Sequence, residues 1–541
     1  MHADIVVRGP IYTMDPAAPW AEAMAVTGGR ITAVGDAAAV RPLAGPGTLI
    51  VEAGDGMVMP GIVDAHNHVS TGGQQAAWEL SLPPVLSLRE LLDGVGATAR
   101  AAAAGDWVIG GAVGSDLFNG IGTAENLRAL DAVSHGHPVM LRDVSTHHRW
   151  VNSRALEILG ITAATPDPPG GSYLRDDDGR PVGVLFEQAS QFAEQTARES
   201  IPDQRERDLT SARTALRLLN SYGVTAVQDA GTMGPWLDTF HSLDERGELT
   251  AWLVASMPNI HYMVASAVFP ELAPYAATLR SRHLRPDFVK ILLDGIPMSR
   301  SAAMLHPYAG EADFRGASLY DMPSLVAVLQ DAVDRGLHVK AHATGDFTVR
   351  QVLDAVQVIR DRGHHDAIFH VAHPEFVDPA DIRRFRELNV VADASPTLWF
   401  PNPINDVIRQ QVGDRYMSRI WPLRELHEAG VTIAAGTDWP SAVERPDPWL
   451  AIETMVTRRH PGALVRGALA PEQALDLPTA LTAHTSAAAA AIGLGGETGR
   501  LKTGLSADFV VLDRRLLDIP INQVSRTEVR QTWFTGRLVH G

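Results

Sequence analysis

Two histidines separated by one residue end the apolar run MVMPGIVDAHNHVS, which covers residues 57–70. In an extended strand the side chains of His66 and His68 point to the same side, so both imidazoles can approach one point. Two converging imidazoles favour a metal site. The spacing alone is weak evidence, because 21 histidines in 541 residues give on the order of one such pair by chance.

A second pair, His135 and His137, differs in context because it precedes an apolar strand instead of following one. In parallel barrels and open α/β sheets, reactive groups gather at the carboxyl ends of strands. We therefore take His66 and His68 as candidate ligands. For His135 and His137 we expect capping or loop positions.

Six polar residues lie within or at the end of apolar, strand-like runs: His66, His68, Lys290, His342, His373 and Asp438. Structural alternatives exist, because a lone strand histidine is often a core residue and Asp438 in GTDWP suits a cap. Lys290 in FVKILL requires a partner, since burying an unpaired charge is costly. Asp294 could be that partner. Because all six fall at or near the same end of their strands, the set predicts a metal site.

The strand-like runs number eight and alternate with helix-like stretches. They cover residues 60–66, 224–230, 249–257, 288–295, 338–344, 367–373, 390–396 and 431–439. Several of the intervening stretches, such as SLVAVLQDAVDRG, close on a glycine that suits the end of a helix. Eight alternating units predict an α/β fold, a (β/α)8 TIM barrel.

The segments that flank this pattern predict two further parts. Gly-punctuated β runs at both ends of the chain predict a small β-sandwich domain built from residues 1–59 and 486–541, beside a barrel of residues 60–485. The segment between the first two barrel strands is too long for a simple connection. We expect residues of about 70–203 to form an inserted α+β subdomain over the barrel mouth.

Composition restricts the classes of partner and site. The chain has 46 basic and 63 acidic residues, a net charge of -17, which disfavours nucleic acid and anionic membranes as partners. The absence of cysteine excludes disulfides, thiolate nucleophiles and Cys-ligated zinc. The first residues have no signal-peptide pattern and no apolar stretch of membrane-spanning length follows, so we expect a cytoplasmic protein.

As a set, several segments resemble the amidohydrolase superfamily, specifically its amidohydrolase-3 or YtcJ-like branch, which includes N-substituted formamide deformylases. They are MPGIVDAHNH, HRWVNSRAL, FVKILLDGIPMSRSAAMLHPY, VKAHATGDFTVRQVLDAV, HPEFVDPADIRRFRELNV, AAGTDWP and TGRLKTGLSADFVVLD. The resemblance extends over nearly the whole chain.

The resemblance implies a centre with one or two divalent metal ions, zinc foremost. The implied ligands are His66 and His68 for the more buried ion, His342 and His373 for the more exposed one, a carboxylated Lys290 as bridge, and Asp438. Carboxylation gives the lysine two oxygens, and the cations then supply the positive charge, which resolves the cost of burying Lys290. Asp438 would also act as the general base.

Two more residues are candidates for the pocket. In THHRWVNSRAL a histidine three residues before a tryptophan resembles a family position, which maps onto His147 as a contact to the substrate or the oxyanion. A structural loop histidine is the alternative. Trp439 follows Asp438 directly and either lines the pocket or packs in the core.

The predicted function is a metal-dependent amidohydrolase that cleaves a C–N bond of the amide type in a small organic substrate through a metal-activated hydroxide. The alternatives are a ring deaminase or an ester or lactone hydrolase with the same centre, and a non-catalytic metal-binding barrel. Specificity residues on loops and in the insert decide between the enzymatic alternatives. The expected partner is a small amide-type substrate, and the expected assembly is a homodimer.

Overall fold

The computed structural model describes residues 2–82, 86–143, 148–168, 170–260, 267–441 and 443–541. Its strands are β1 (Ile5–Tyr12), β2 (Trp20–Thr27), β3 (Arg30–Gly35), β4 (Leu49–Glu52), β5 (Met57–Pro60), β6 (Ile62–Asn67), β7 (Val108–Val113), β8 (Val139–Asp143), β9 (His148–Val151), β10 (Gly171–Arg175), β11 (Pro181–Glu187), β12 (Val224–Asp229), β13 (Trp252–Pro258), β14 (Leu284–Leu292), β15 (His338–His342), β16 (Phe369–Ala372), β17 (Val390–Ala394), β18 (Ile433–Ala435), β19 (Phe509–Leu512), β20 (Val529–Phe534) and β21 (Arg537–His540).

The α-helices are α1 (Ala37–Val40), α2 (Val69–Trp78), α3 (Leu88–Ala101), α4 (Ser115–Ile121), α5 (Ala124–Val133), α6 (Ser153–Leu159), α7 (Gln188–Ser200), α8 (Gln204–Ser221), α9 (Gly234–Glu245), α10 (Leu272–Thr278), α11 (Met322–Asp334), α12 (Asp346–Asp361), α13 (Ile382–Glu387), α14 (Pro403–Val412), α15 (Asp414–Met417), α16 (Leu423–Glu428), α17 (Pro448–Thr457), α18 (Leu477–Ala483) and α19 (Ser486–Ala491). Short 3-10 helices cover Arg41–Leu43, Pro297–Ser299, Pro396–Leu398, Pro471–Gln473 and Ile521–Arg526. Within the described part of the chain no helix has both the length and the apolar character needed to cross a membrane.

Eight parallel strands form the predicted barrel, in the order β18-β17-β16-β15-β14-β13-β12-β6. Every residue of β6, β12 and β13 is buried, as expected for strands that are covered on both faces. The helices between them begin and end on sequence signals. At α11, for example, Asp321 accepts a hydrogen bond from the Ser324 N–H (2.9 Å), and Gly336 follows the last turn. The (β/α)8 prediction is confirmed.

The first and last barrel strands meet at Gly436, directly after β18. A Cβ atom on this residue would lie 2.2 Å from the backbone nitrogen of His66 and 2.6 Å from Oδ1 of Asp64. Only glycine allows so close an approach between two backbones. Beyond this point the Asp438 N–H donates to the His66 carbonyl (2.8 Å) and the His68 N–H donates to the Trp439 carbonyl (2.8 Å). These contacts hold the two candidate segments together.

A second eight-stranded sheet contains strands from both ends of the chain, in the order β21-β20-β19-β5-β1-β2-β3, with β4 paired to β1. Its two halves join where β5 and β19 pair antiparallel, with Val58 opposite Val511. The rings of Phe509 and Trp533 stack in its core with centroids 5.4 Å apart. This sheet belongs to the same compact unit as the barrel strands.

A separate compact unit includes Val69–Ala215. It contains a five-stranded sheet in the order β10-β11-β9-β8-β7, with β10 and β11 as an antiparallel hairpin. Inside it, Arg142 donates to the carboxylates of Glu79 and Glu194, which neutralise its buried guanidinium. His137 lies in a loop of this unit, where its Nδ1 is 2.8 Å from the Asp106 carbonyl oxygen.

Candidate metal centre

The six strand-end residues predicted from the sequence lie in one compact unit, in or just after strands of the barrel. His66 belongs to β6 and His68 follows it, Lys290 belongs to β14, His342 ends β15, His373 follows β16, and Asp438 follows β18. Because the carboxyl ends of parallel strands lie at the same end of a barrel, these side chains point into one region.

Three of these residues, His66, His68 and Asp438, can each offer a ligand atom such that all three atoms lie within 4.8 Å of one another. Oδ1 of Asp438 is 3.4 Å from Nε2 of His68 and 3.8 Å from Nε2 of His66. Two imidazole nitrogens and one carboxylate oxygen are ligands that zinc and similar divalent metals accept. The structure thus brings together the predicted histidine pair and the predicted aspartate.

His373 and His342 extend this group on one side. The His373 ring centroid lies 4.5 Å from that of His66 and 5.0 Å from that of His342. Nε2 of His342 is 3.4 Å from the Gly295 carbonyl oxygen, so its proton lies there and Nδ1 keeps a lone pair. Nδ1 of His373 is 3.4 Å from the Ser395 hydroxyl, which leaves Nε2 for a ligand.

Three histidines of the site, His66, His342 and His373, lie in surroundings that favour the neutral imidazole. Burial, foremost, lowers the pKa of His342 to about 3 and holds the pKa values of His66 and His373 well below their usual range. Neutral imidazole is the form that binds a metal ion. These three rings therefore keep a lone pair that can bind a metal ion.

Two of the site residues, His373 and Asp438, have left-handed backbone conformations, with φ of 60° and 56°. Non-glycine residues rarely adopt this region, and such residues are found at active sites when neighbours hold them in place. Here the His373 N–H donates to the Asp393 carbonyl (2.9 Å) and the Ser441 N–H donates to the Asp438 carbonyl (2.7 Å). His373 lies directly after β16, and Asp438 lies three residues after the end of β18.

Lys290 is partly buried and its amine faces the same group, with Nζ 3.3 Å from Nε2 of His66. Burial, followed by the charge of Lys340, lowers its pKa to about 8. Among the described residues no carboxylate oxygen forms an ion pair with Nζ within 4.0 Å. A lysine with a lowered pKa and no carboxylate partner is prone to chemical modification.

The alternative that Asp294 pairs with Lys290 is wrong. The Asp294 carboxylate lies at the start of α12 and accepts hydrogen bonds from the N–H groups of Ala303 (2.9 Å), Thr344 (3.1 Å) and Gly345 (3.0 Å) and from the hydroxyl of Thr348 (2.7 Å). It joins the loop after β14 to the segment that follows His342. Asp294 thereby supports the position of a candidate ligand without approaching the lysine.

Behind His66 lies a buried polar group that the sequence analysis missed. Asp393 in β17 accepts hydrogen bonds through Oδ2 from His66 Nδ1 (3.1 Å) and from the Lys340 amine. Lys340 in β15 also donates to the Ala65 carbonyl (2.8 Å). Burial alone would raise the pKa of Asp393, but the charge of Lys340 and the hydrogen bonds hold it well below its usual range. The sequence HVKAH, in which Lys340 lies two residues before the candidate ligand His342, could have indicated this buried group.

The two remaining pocket candidates have different outcomes. His147 lies outside the described residues, so its role stays a prediction. Trp439 is 2% exposed, and its Nε1–H donates to the Glu444 carbonyl (3.2 Å). Its indole fits the packing interpretation.

Comparison with known proteins identifies a family for this chain. The family model described as Amidohydrolase family matches residues 49–540. The chain is 29% identical to Protein LONG AFTER FAR-RED 3 of Arabidopsis thaliana, over 99% of this chain and 91% of that protein. It is 27% identical to N-substituted formamide deformylase of Arthrobacter pascens, over 99% of this chain and 97% of that enzyme.

A solved structure agrees with the fold. The crystal structure of an uncharacterized metal-dependent hydrolase from Pyrococcus horikoshii OT3 superposes with a TM-score of 0.79 at 22% identity, covering 96% of this chain and 99% of that one. At this identity the likeness concerns the fold alone.

Proposed function

The chain belongs to the amidohydrolase family, and from this premise we propose that it is a metal-dependent hydrolase of a C–N bond in a small organic amide. Membership confirms the resemblance read from the sequence motifs. The observation that carries the proposal is the convergence of His66, His68 and Asp438 at the carboxyl end of the barrel, with ligand atoms within 4.8 Å of one another.

The donor atoms around this point fit a divalent metal such as zinc. His66 and His68 would bind one ion through Nε2, together with Asp438. A second ion would take His342 through Nδ1 and His373 through Nε2, the atoms that the hydrogen bonds of these rings leave available. A carboxylated Lys290 would bridge the two. When bound, a divalent metal polarises the substrate carbonyl and acidifies a water molecule.

Asp438 is the residue that we assign to proton transfer. Its carboxylate lies 3.4 Å from Nε2 of His68. Burial alone would raise its pKa, but the hydrogen bond with His68, foremost, holds the pKa below its usual value. It is therefore ionised at neutral pH and can accept a proton from the attacking water. Returning that proton to the leaving nitrogen allows the amine to depart as a neutral molecule.

The nature of the bond is supported by one relative. N-substituted formamide deformylase, by its name, acts on an N-substituted formamide, and it aligns with nearly the whole of this chain. We extend this to the present protein as a preference for N-formyl or N-acyl amines over rings and esters. The net charge of -17 further favours neutral or cationic substrates over anionic ones.

The test is a substrate panel assayed with zinc-loaded protein. N-formyl and N-acyl amines, cyclic amides, aminopurines and carboxylic esters are each incubated with the wild type and with Asp438→Asn, and amine, ammonia or acid release is followed. We expect amine release from the N-formyl or N-acyl members, and a loss of at least about a hundredfold in the variant. Turnover of only the esters or only the aminopurines by the wild type would refute the assignment to amides.

A further inference from the structure

We propose that Asp393, held by Lys340, is a positioning residue that fixes the imidazole of His66 so that its Nε2 lone pair faces the metal centre. The inference rests on the proposed function, because it concerns how a candidate ligand is prepared for its metal. It assigns a role to two residues that touch neither the substrate nor the reacting atoms.

The geometry that carries the proposal lies inside the barrel. His66, Asp393 and Lys340 are all 0% exposed and come from three different strands. Oδ2 of Asp393 is 3.1 Å from Nδ1 of His66, and the Lys340 amine bonds the same oxygen. On the opposite side of the ring, Nε2 of His66 lies 3.8 Å from Oδ1 of Asp438 and 3.3 Å from Nζ of Lys290.

The chemistry of the contact decides which nitrogen of His66 is available. An ionised carboxylate only accepts hydrogen bonds, so Nδ1 must carry the proton and Nε2 must keep its lone pair. Histidines that bind metals commonly donate their other N–H to such a partner, and loss of that partner typically lowers metal affinity 10- to 100-fold. Asp393 matches this role for His66.

Lys340 fixes Asp393 in turn. Its amine donates both to the carboxylate and to the carbonyl oxygen of Ala65 (2.8 Å), the residue that precedes His66 in β6. One side chain therefore holds both the carboxylate and the strand that carries the ligand. His370 adds a third contact, with Nδ1 3.4 Å from the same carboxylate oxygen.

The competing explanation is that Lys340 and Asp393 form only a structural ion pair of the core. A matched pair of double variants separates the two roles: Lys340→Met with Asp393→Asn, and Lys340→Met with Asp393→Leu. Both remove the buried ion pair entirely, which is often neutral for stability. Asparagine and leucine are similar in size to aspartate, but only asparagine keeps an oxygen that accepts the Nδ1–H of His66.

We expect the double variant with Asp393→Leu to bind zinc about 10- to 100-fold more weakly than the double variant with Asp393→Asn, as measured by competition with a chromophoric chelator. Thermal unfolding of both apoproteins serves as the control, and we expect similar midpoints. Equal zinc affinities in two folded double variants would overturn the proposal, because a structural ion pair would not distinguish an amide from an alkyl side chain.

A second measurement examines the wild-type protein and does not depend on the double variants. In the ¹⁵N NMR spectrum of the full-length apoprotein at neutral pH, with the signals assigned by their loss in His66→Asn, we expect Nδ1 of His66 to be protonated and Nε2 unprotonated. A proton on Nε2 would overturn the proposal whether or not the variants fold. Failure of the wild type to bind zinc or cleave amides would instead refute the proposed function, which this spectrum does not test.

Discussion

Replacement of Gly436 by alanine is expected to separate the first and last barrel strands and to weaken the metal centre. A methyl group on Gly436 would lie 2.2 Å from the backbone nitrogen of His66, whereas ordinary contact begins at 3.4 Å. The difference, 3.4 minus 2.2, requires a displacement of about 1.2 Å. The two groups nearest to this methyl group are the backbone of His66 and the carboxylate of Asp64. Both are buried and cannot simply rotate away.

The expected magnitude follows from the hydrogen bonds that such a displacement breaks. They run from the Thr437 N–H to Asp64 Oδ1 (3.0 Å), from the Asp438 N–H to the His66 carbonyl (2.8 Å) and from the His68 N–H to the Trp439 carbonyl (2.8 Å). At about 0.5–1.5 kcal/mol each, the loss of these three bonds lowers the free energy of unfolding by about 1.5–4.5 kcal/mol. Because two of them position His66, His68 and Asp438, zinc affinity should fall as well.

Urea unfolding of the apoprotein measures the first effect and zinc competition measures the second. Gly496→Ala is the matched control, since nothing lies within 4 Å of a Cβ atom at that exposed turn, and any entropic gain from removing a glycine is shared by both variants. A stability for Gly436→Ala within about 0.5 kcal/mol of the control would refute the reasoning about strand contact.

Three further predictions concern the centre itself. Protein purified without a chelator should contain one or two divalent ions per chain, and a content below about 0.2 ions per chain would contradict the metal assignment. Chelation should abolish turnover, and added zinc should restore it. Asp438→Asn should keep its fold but lose at least about a hundredfold in kcat, and near-normal kcat in a metal-loaded variant would remove Asp438 from the mechanism. Lys290→Ala should lose metal and activity, and formate or acetate with excess zinc should restore part of the activity. The control Lys502→Ala, at an exposed position, should behave as wild type. If the small acids restore neither metal binding nor activity, this would count against a carboxylated bridge.

The barrel could be predicted from the sequence because its strands are continuous apolar runs separated by helices that end on glycine. Six of the eight predicted runs extend past the carboxyl end of the observed strand. Within the predicted run 431–439 only Ile433–Ala435 forms a strand, and within the run 367–373 the strand ends at Ala372. At β16 the physical reason is the left-handed conformation of His373, which ends the strand directly before this candidate ligand.

The location of the candidate residues at one end of the barrel could also be predicted, since the position of a residue at a strand end does not depend on side-chain detail. The bonding of Asp294, and so the absence of a pair with Lys290, could not be predicted. Asp294, the candidate partner, lies four residues along the same apolar run, but β14 ends at Leu292. Beyond it the chain turns, and the Asp294 carboxylate meets the N–H groups at the start of α12.

Lys340 and Asp393 were missed for a different reason. Strands buried on both faces have no alternation of polar and apolar residues, so a polar residue that points into the barrel has no distinguishing pattern. The contact between His66 and Asp393 spans 327 positions of the chain. Such a pair becomes visible only when the strands are arranged in the barrel.

The two barrel lysines show how partners, and not strand position, decide what a buried amine can do. Lys290 and Lys340 are direct neighbours in the register of β14 and β15. Lys340 is bonded to Asp393 and to the Ala65 carbonyl, so its amine is occupied. Among the residues that the structure describes, the Lys290 amine has the His66 imidazole as its neighbour, and burial together with the adjacent Lys340 charge lowers its pKa to about 8. CO2 reacts with a neutral amine that is not already bonded. Because the hydrogen bonds to Asp393 and Ala65 occupy the Lys340 amine, a carboxylated bridge fits Lys290 and not Lys340.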